Sequence, residues 1–383
     1  MSKRIICIIL ILTISLVPLR IFAEENLNIN GKSAILMDYN TKKVIYEQNS
    51  KEKLYPASLT KIMTLILGME ALESGKISLT DEVRISANAA SMGGSQLWLE
   101  EGETQTVENL FKAITIRSAN DASVALAEHI AGSEEIFVKI MNDKAKELGM
   151  NDTNFVNASG LHHEDHYTTA YDVALMSAEL LRHDQIHEWL TVYMDEILVG
   201  KKKDKVQSLV NTNRLIKEYD GTTGIKTGST SQAGYCLSAS AKKGNLHLIA
   251  VVMGSDTSKI RFDEAIRLMD YGFANFDSVI IGRKGDTVDK VLIQKGNTKY
   301  LEVTLERDCS LLIPKGQSKD ITKEIVLPEY VEGPISQGDI VGELIVRIEG
   351  KEVDKVNLVA KGHVEKTTVK NMFIKVLKNF INN

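Results

Sequence analysis

Pro56-Ala57-Ser58-Leu59-Thr60-Lys61-Ile62-Met63-Thr64 decides how this chain is read. Proline suits the first turn of a helix, where its missing N–H costs nothing. An apolar helical run follows from residue 59 to about 73, and Gly75 stops it. Ser58 and Lys61 are three residues apart, nearly one helical turn, so both side chains fall on one face. A serine nucleophile needs a base within reach, and this spacing supplies one without long-range folding. First-turn N–H groups are free to serve an oxyanion. Two further S-x-x-K matches, Ser50-Lys51-Glu52-Lys53 and Ser240-Ala241-Lys242-Lys243, are lysine-rich and read as solvated turns. Only the Ser58 copy opens an apolar helix.

Residues 33–38 and 43–47 flank Tyr39-Asn40-Thr41-Lys42 and read as a hairpin. The pattern is helical from about residue 106 to 149, at 169–181 and at 262–273. Strand-like stretches at 233–239 and 246–254 meet at the turn Lys242-Lys243-Gly244-Asn245. A hairpin, helices, further strands and a closing helix predict an α/β domain with helices covering an antiparallel sheet. After about Ser278 the helical pattern ends, and short β-rich segments alternate with Gly and Pro, predicting a small all-β domain.

Ser118-Ala119-Asn120 lies in the helical stretch, with a rival at Ser86-Ala87-Asn88. Either tripeptide alone means no more than a cap or turn. Lys226-Thr227-Gly228 leads into the 233–254 hairpin and reads as a strand edge, where a ligand can align with free backbone groups. S-x-x-K, S-x-N and K-T-G in this order define penicillin-recognising serine enzymes. With the flanks Arg117-Ser118-Ala119-Asn120-Asp121-Ala122, His166-Tyr167-Thr168-Thr169-Ala170 and Gly224-Ile225-Lys226-Thr227-Gly228, the chain resembles the D-alanyl-D-alanine carboxypeptidases, low-molecular-weight penicillin-binding proteins of peptidase family S11. The similarity covers about residues 28 to 277 and selects Ser58 over Ser50 and Ser118 over Ser86.

The resemblance implies a penicillin-recognising serine enzyme fold and removal of the terminal D-alanine from peptidoglycan stem pentapeptides through an acyl-enzyme on Ser58. Lys61 is implied as the base, Ser118 and Lys226 as proton carriers toward the leaving nitrogen, and Asn120 as a clamp on Lys61 and the donor strand. N–H groups of Ser58 and Ser229 are implied as the oxyanion hole. Thr227, Gly228, Ser229 and Arg261 are implied as substrate-binding residues, Thr227 and Arg261 for the terminal carboxylate. β-Lactams are implied as slow inhibitors, and no cofactor or metal is implied. The alternatives are a D,D-endopeptidase or β-lactamase using the same site, and a non-catalytic wall-binding protein. No motif equivalent to the deacylating glutamate of class A β-lactamases stands out.

The 383 residues, 43% hydrophobic, suffice for two or three cored domains and exclude disordered and collagenous classes. A net charge of −5 gives no basic surface for nucleic acid. Residues 1–23 read as an export signal. Lys3 and Arg4 precede a 13-residue apolar run, too short for a spanning helix of about 20. Arg20 and Ile21 fit the cleavage region less well, which leaves an uncleaved anchor or a core helix as alternatives. The expected order is signal 1–23, catalytic domain 24–278, β-rich stalk 279–360 and amphipathic helix 361–383. In that last segment Val369, Met372, Phe373, Val376, Leu377, Phe380 and Ile381 share one helical face beside five lysines and one glutamate, as suits an anionic membrane surface. The protein is thus expected on the extracytoplasmic face of the cell membrane. Cys7 lies in the signal, and Cys236 and Cys309 are expected as free core thiols. His162-His163-Glu164-Asp165-His166 lacks a helical metal register and reads as a solvated loop.

Overall fold

A computed structural model describes residues 27–317 and 320–367. The 1–23 signal and most of the 361–383 helix, including its whole apolar face, lie outside the described residues.

Helices of the first domain are α1 (Lys61–Glu73), α2 (Ala87–Ala90), α3 (Val107–Lys112), α4 (Asn120–Ala131), α5 (Glu134–Glu147), α6 (Ala170–Leu180), α7 (His187–Leu190), α8 (Leu215–Glu218) and α9 (Ser258–Asn275). Its strands are β1 (Ser33–Asp38), β2 (Val44–Gln48), β3 (Glu82–Arg84), β4 (Thr104–Thr106), β5 (Met194–Val199), β6 (Lys205–Val210), β7 (Thr222–Thr230), β8 (Gly234–Lys243) and β9 (Leu246–Ser255). Five of them form one antiparallel sheet in the order β2-β1-β9-β8-β7, which leaves β7 at an edge.

Side chains alternate across strands, and this sheet buries both faces. Ile35, Met37, Ile249 and Val251 face a core built with α1, α4 and α6. Ala34, Leu36, Leu248, Ala250 and Val252 face a second core with Phe262, Leu268 and Met269 of α9. Side-chain caps set the helix starts. Thr106, Ser133, Thr169 and Thr257 each accept the N–H three residues on, satisfying a donor the helix leaves free.

The long helical stretch expected from 106 to 149 is broken twice, at Ser118 and at Gly132, both left-handed. The β5–β6 hairpin, whose turn is the lysine run 201–203, was not evident from the sequence pattern.

The second domain is β10 (Phe276–Gly282), β11 (Thr287–Gln294), β12 (Tyr300–Leu305), β13 (Cys309–Pro314), β14 (Ile321–Val326), β15 (Tyr330–Glu332), β16 (Ile340–Ile348) and β17 (Lys351–Ala360) around its own apolar core. It begins at Phe276, directly after α9, rather than at 279. It also runs past 360: residues 361–367 are extended rather than helical, with Val364 and Lys366 bridged to Ile335 and Gly296. Cys236 and Cys309 are buried and free. Among the described residues no helix is long and apolar enough to cross a membrane.

Candidate active site

A short 3-10 turn, Ala57–Thr60, carries Ser58 at the head of α1, and Lys61 is the first residue of α1 proper. Lys61 Nζ lies 3.2 Å from Ser58 Oγ, 2.6 Å from Asn120 Oδ1 and 2.5 Å from Ser159 O. Lys61 is fully buried, and desolvation pushes its pKa well below the usual lysine value, with the Lys226 charge adding to it. A neutral amine has two hydrogens and one lone pair. Two carbonyl-type acceptors take the hydrogens, and the lone pair is left for the Ser58 hydroxyl.

The second acceptor comes from a loop. Asn157 Oδ1 accepts from Gly160 N at 2.6 Å, and Thr64 Oγ1 donates to Ala158 O at 2.7 Å. Gly160 has φ +85°, and a Cβ there would sit 1.9 Å from Ala57 O, so only glycine lets this loop press against the 3-10 turn. Ser159 O is thereby aimed at Lys61.

Ser118 and Asn120 sit where a π-helical turn, Ala113–Arg117, ends before α4. Ser118 takes φ 65°, ψ 36°, a left-handed conformation that costs a non-glycine residue about 1–2 kcal/mol. Its Oγ is buried and has no hydrogen-bond partner among the described residues. Asp121 anchors the joint: its carboxylate accepts from Leu97 N at 2.9 Å, Leu99 N at 3.1 Å and Ala122 N at 2.9 Å. Burial nonetheless pushes that carboxyl upward.

Edge strand β7 supplies Lys226, Thr227, Gly228 and Ser229. A Cβ on Gly228 would come 3.0 Å from both Pro56 O and Ser58 N, so glycine allows the strand to lie against the 3-10 turn. Lys226 is buried and its Nζ donates to Thr227 O at 3.2 Å. Desolvation, then the Arg261 charge, lowers its pKa to about 7. Thr227 Oγ1 is 2.6 Å from Thr212 Oγ1, and Ser229 is exposed. Arg261, in α9, lies beneath the strand. Its guanidinium donates to Gly228 O at 2.9 Å and to Cys236 O at 3.0 Å, with only 7% of the residue exposed. A cavity of 540 Å³ opens beside Ser229 and Tyr235. It shares Lys32, Gln232 and Ala233 with a neighbouring cavity of 280 Å³ that reaches Lys53 and Tyr55.

The fold therefore brings Lys61 into direct contact with both Ser58 and Asn120, with Ser118 two residues before Asn120 and the Lys226–Ser229 strand against the Ser58 turn. Arg261 stands behind that strand. Ser159, Asp121 and Thr212 had no motif to mark them, although Asp121 directly follows Asn120. Two loop readings need correcting. His166 is buried, not solvated: its Nε2 meets Thr60 Oγ1 at 2.9 Å, and burial lowers its pKa to about 4. Ser240 is not in a turn but inside β8 and bonded to Thr223, while Ser50 is buried against Glu47.

A family model described as D-alanyl-D-alanine carboxypeptidase matches residues 20–257, and one described as penicillin-binding protein 5, C-terminal domain, matches residues 276–366. The chain is 47% identical over 337 residues to the D-alanyl-D-alanine carboxypeptidase DacF of Bacillus subtilis, covering 88% of this chain and 86% of that protein. It is similar to the crystal structure of penicillin-binding protein 5 from Haemophilus influenzae, with a TM-score of 0.74 and 32% identity over 88% of this chain and 98% of that one. A third likeness is penicillin-binding protein D2 of Listeria monocytogenes in an ampicillin-bound form, with a TM-score of 0.58 and 31% identity over 65% of this chain and 99% of that one.

Proposed function

The chain belongs to the D-alanyl-D-alanine carboxypeptidase family and is a serine-type carboxypeptidase; from that premise we propose how its residues divide the reaction. The Ser58 hydroxyl gives its proton to neutral Lys61 as Oγ attacks the carbonyl between two terminal D-alanines of a peptidoglycan stem peptide. Backbone N–H groups of Ser58 and Ser229 take the oxyanion, a type of contact worth about 3–4 kcal/mol per donor. The C–N bond then breaks, and the leaving nitrogen receives a proton through Ser118 and Lys226. Water cleaves the acyl-Ser58 ester, and a tetrapeptide remains.

The observation that carries this reading is the environment of Lys61. Its two hydrogens have acceptors in Asn120 and Ser159, its lone pair faces Ser58, and both burial and Lys226 favour its neutral form. Thr227 binds the terminal carboxylate of the substrate, aided by the Lys226 charge. Arg261 acts on that carboxylate through Gly228, whose carbonyl it holds.

The ordered motifs and the ampicillin-bound relative support β-lactams as inhibitors that acylate Ser58. The sequence of residues 1–23 supports export, and that of the last segment supports attachment to the outer face of the cell membrane.

The test is mass spectrometry of benzylpenicillin-treated protein, together with D-alanine release from a diacetyl-Lys-D-Ala-D-Ala peptide. A stable adduct on the peptide containing Ser58, and release abolished in Ser58→Ala, are expected. An unmodified Ser58 after prolonged exposure, or release that survives in Ser58→Ala, overturns the assignment. Rapid turnover of the penicillin would indicate a β-lactamase.

A further inference from the structure

The far end of α1 holds a second cluster, about 14 Å along the helix from Lys61 at 1.5 Å per residue. Ligand atoms of Glu70 in α1, Glu179 in α6 and His183 just beyond α6 lie within 4.8 Å of one another. Glu179 and His183 are four residues apart, which keeps them on one side of the chain as α6 ends.

His183 is the telling member. It is only 6% exposed, and its Nδ1 meets Glu73 Oε1 at 2.7 Å. Its Nε2 is buried and has no partner among the described residues. A buried ring nitrogen left unpaired is destabilising. In the tautomer that donates from Nδ1 to Glu73, Nε2 carries the lone pair. A carboxylate behind a histidine in this way is the usual support for a metal-binding imidazole. Lys144 lies 2.7 Å from Glu70 and Arg182 3.1 Å from Glu179, so each carboxylate also has a cation beside it. Glu70 and Glu73 are partly exposed, which gives an ion a path from solvent.

We infer that His183 Nε2 and the carboxylates of Glu70 and Glu179 form a site for a divalent transition-metal ion, with Glu73 orienting the imidazole. One imidazole and two carboxylates suit zinc. The ion would clamp the C-terminal ends of α1 and α6 together and takes no part in the chemistry at Ser58.

The experiment titrates tag-free, chelator-treated full-length protein with zinc chloride by calorimetry, followed by metal analysis after dialysis. One equivalent is expected in the wild type, with a rise in Tm, and none in His183→Gln or Glu179→Gln. Glu73→Gln should weaken binding roughly 10–100-fold. Penicillin acylation of Ser58 reports that each variant is folded, and it should not change. Absence of stoichiometric zinc in the wild type overturns the inference. So does zinc binding that persists in His183→Gln and disappears in a His162→Ala/His163→Ala variant, which would place the ion on the surface loop. Should His183→Gln fail to fold, the absorption spectrum of the cobalt-loaded wild type decides: bands of a four- or five-coordinate ion are expected, and a hexaaquo-like spectrum refutes the site.

Discussion

Asn120 presents its side-chain oxygen to Lys61 Nζ at 2.6 Å and donates from its side-chain nitrogen to Gly93 O, also at 2.6 Å. One amide thus joins the proposed base to the loop that Asp121 holds from below. Chemistry and scaffold meet at a single side chain, so its replacement discriminates charge from packing.

Asn120→Asp keeps the volume and puts a carboxylate against Lys61. An adjacent opposite charge favours the protonated amine. The pH at which benzylpenicillin acylation turns on is therefore expected to move upward, with the rate at neutral pH falling about tenfold for each unit moved. Stopped-flow acylation from pH 5 to 10 measures it. An unchanged pH profile would remove Lys61 from the role of base.

Gly228→Ala tests the approach of β7 to the Ser58 turn. Its Cβ would stand 3.0 Å from Pro56 O and Ser58 N, tighter than ordinary contact, and both neighbours are backbone atoms that cannot swing aside. The strand must shift by a few tenths of an ångström. A loss on the order of 100-fold in kcat/KM is expected, with Tm lowered only slightly. Equal losses of fold and activity would indicate general damage instead.

Lys226 has a folded pKa of about 7 against 10.5 ordinarily, chiefly through desolvation. Unfolding takes up a proton between those values, so stability rises with pH across that window and is lowest below it. Lys226→Met is expected to raise Tm most below pH 7, with a gain that shrinks toward pH 10, while D-alanine release is lost. In the wild type, KM for a substrate with a free terminal carboxylate should rise above pH 7 as the ammonium is lost. Thermal scans and a KM profile check both halves.

His166 and His247 are both held at about 4 by burial, below the usual 6.5. The unfolded chain protonates first, so stability falls from pH 6.5 down to about 4, by at most about 3 kcal/mol per ring. Asp38, Asp121 and Asp172, raised by burial, act in the opposite direction as they take up protons. His247→Gln isolates one ring: the slope of stability against pH in that window should drop by one proton. An unaltered slope would mean that the ring is already charged in the folded protein.

Much of this was legible because it rests on local chemistry. The helix start after Pro56, the edge position of Lys226-Thr227-Gly228 and the β8–β9 hairpin follow from turn residues and alternation within a few positions. The break at Ser118 was not legible. Residues 107–131 are apolar at helical spacing on both sides of it, and only tertiary packing selects a π-turn and a left-handed serine there. Ser159 was hidden for a different reason, since its contribution is a backbone carbonyl that any residue carries. His166 was misread because its hydrophilic neighbours His162, His163, Glu164 and Asp165 are all exposed while it alone turns inward. Arg261 was expected to face a carboxylate. From α9, under β7 and β8, it donates to the carbonyls of Gly228 and Cys236, behind the strand on which that carboxylate is proposed to lie.

Asn275 ends α9 and Phe276 begins β10, with no residue between them. The joint is braced further by Lys315, whose N–H reaches Asn275 O at 2.9 Å and whose Nζ reaches Phe273 O at 3.0 Å. Helix α9, which carries Arg261, therefore passes directly into the first strand of the β domain. The helix that backs the site strand and the first strand of the β domain are thus one continuous length of chain, with no linker in which a hinge could form.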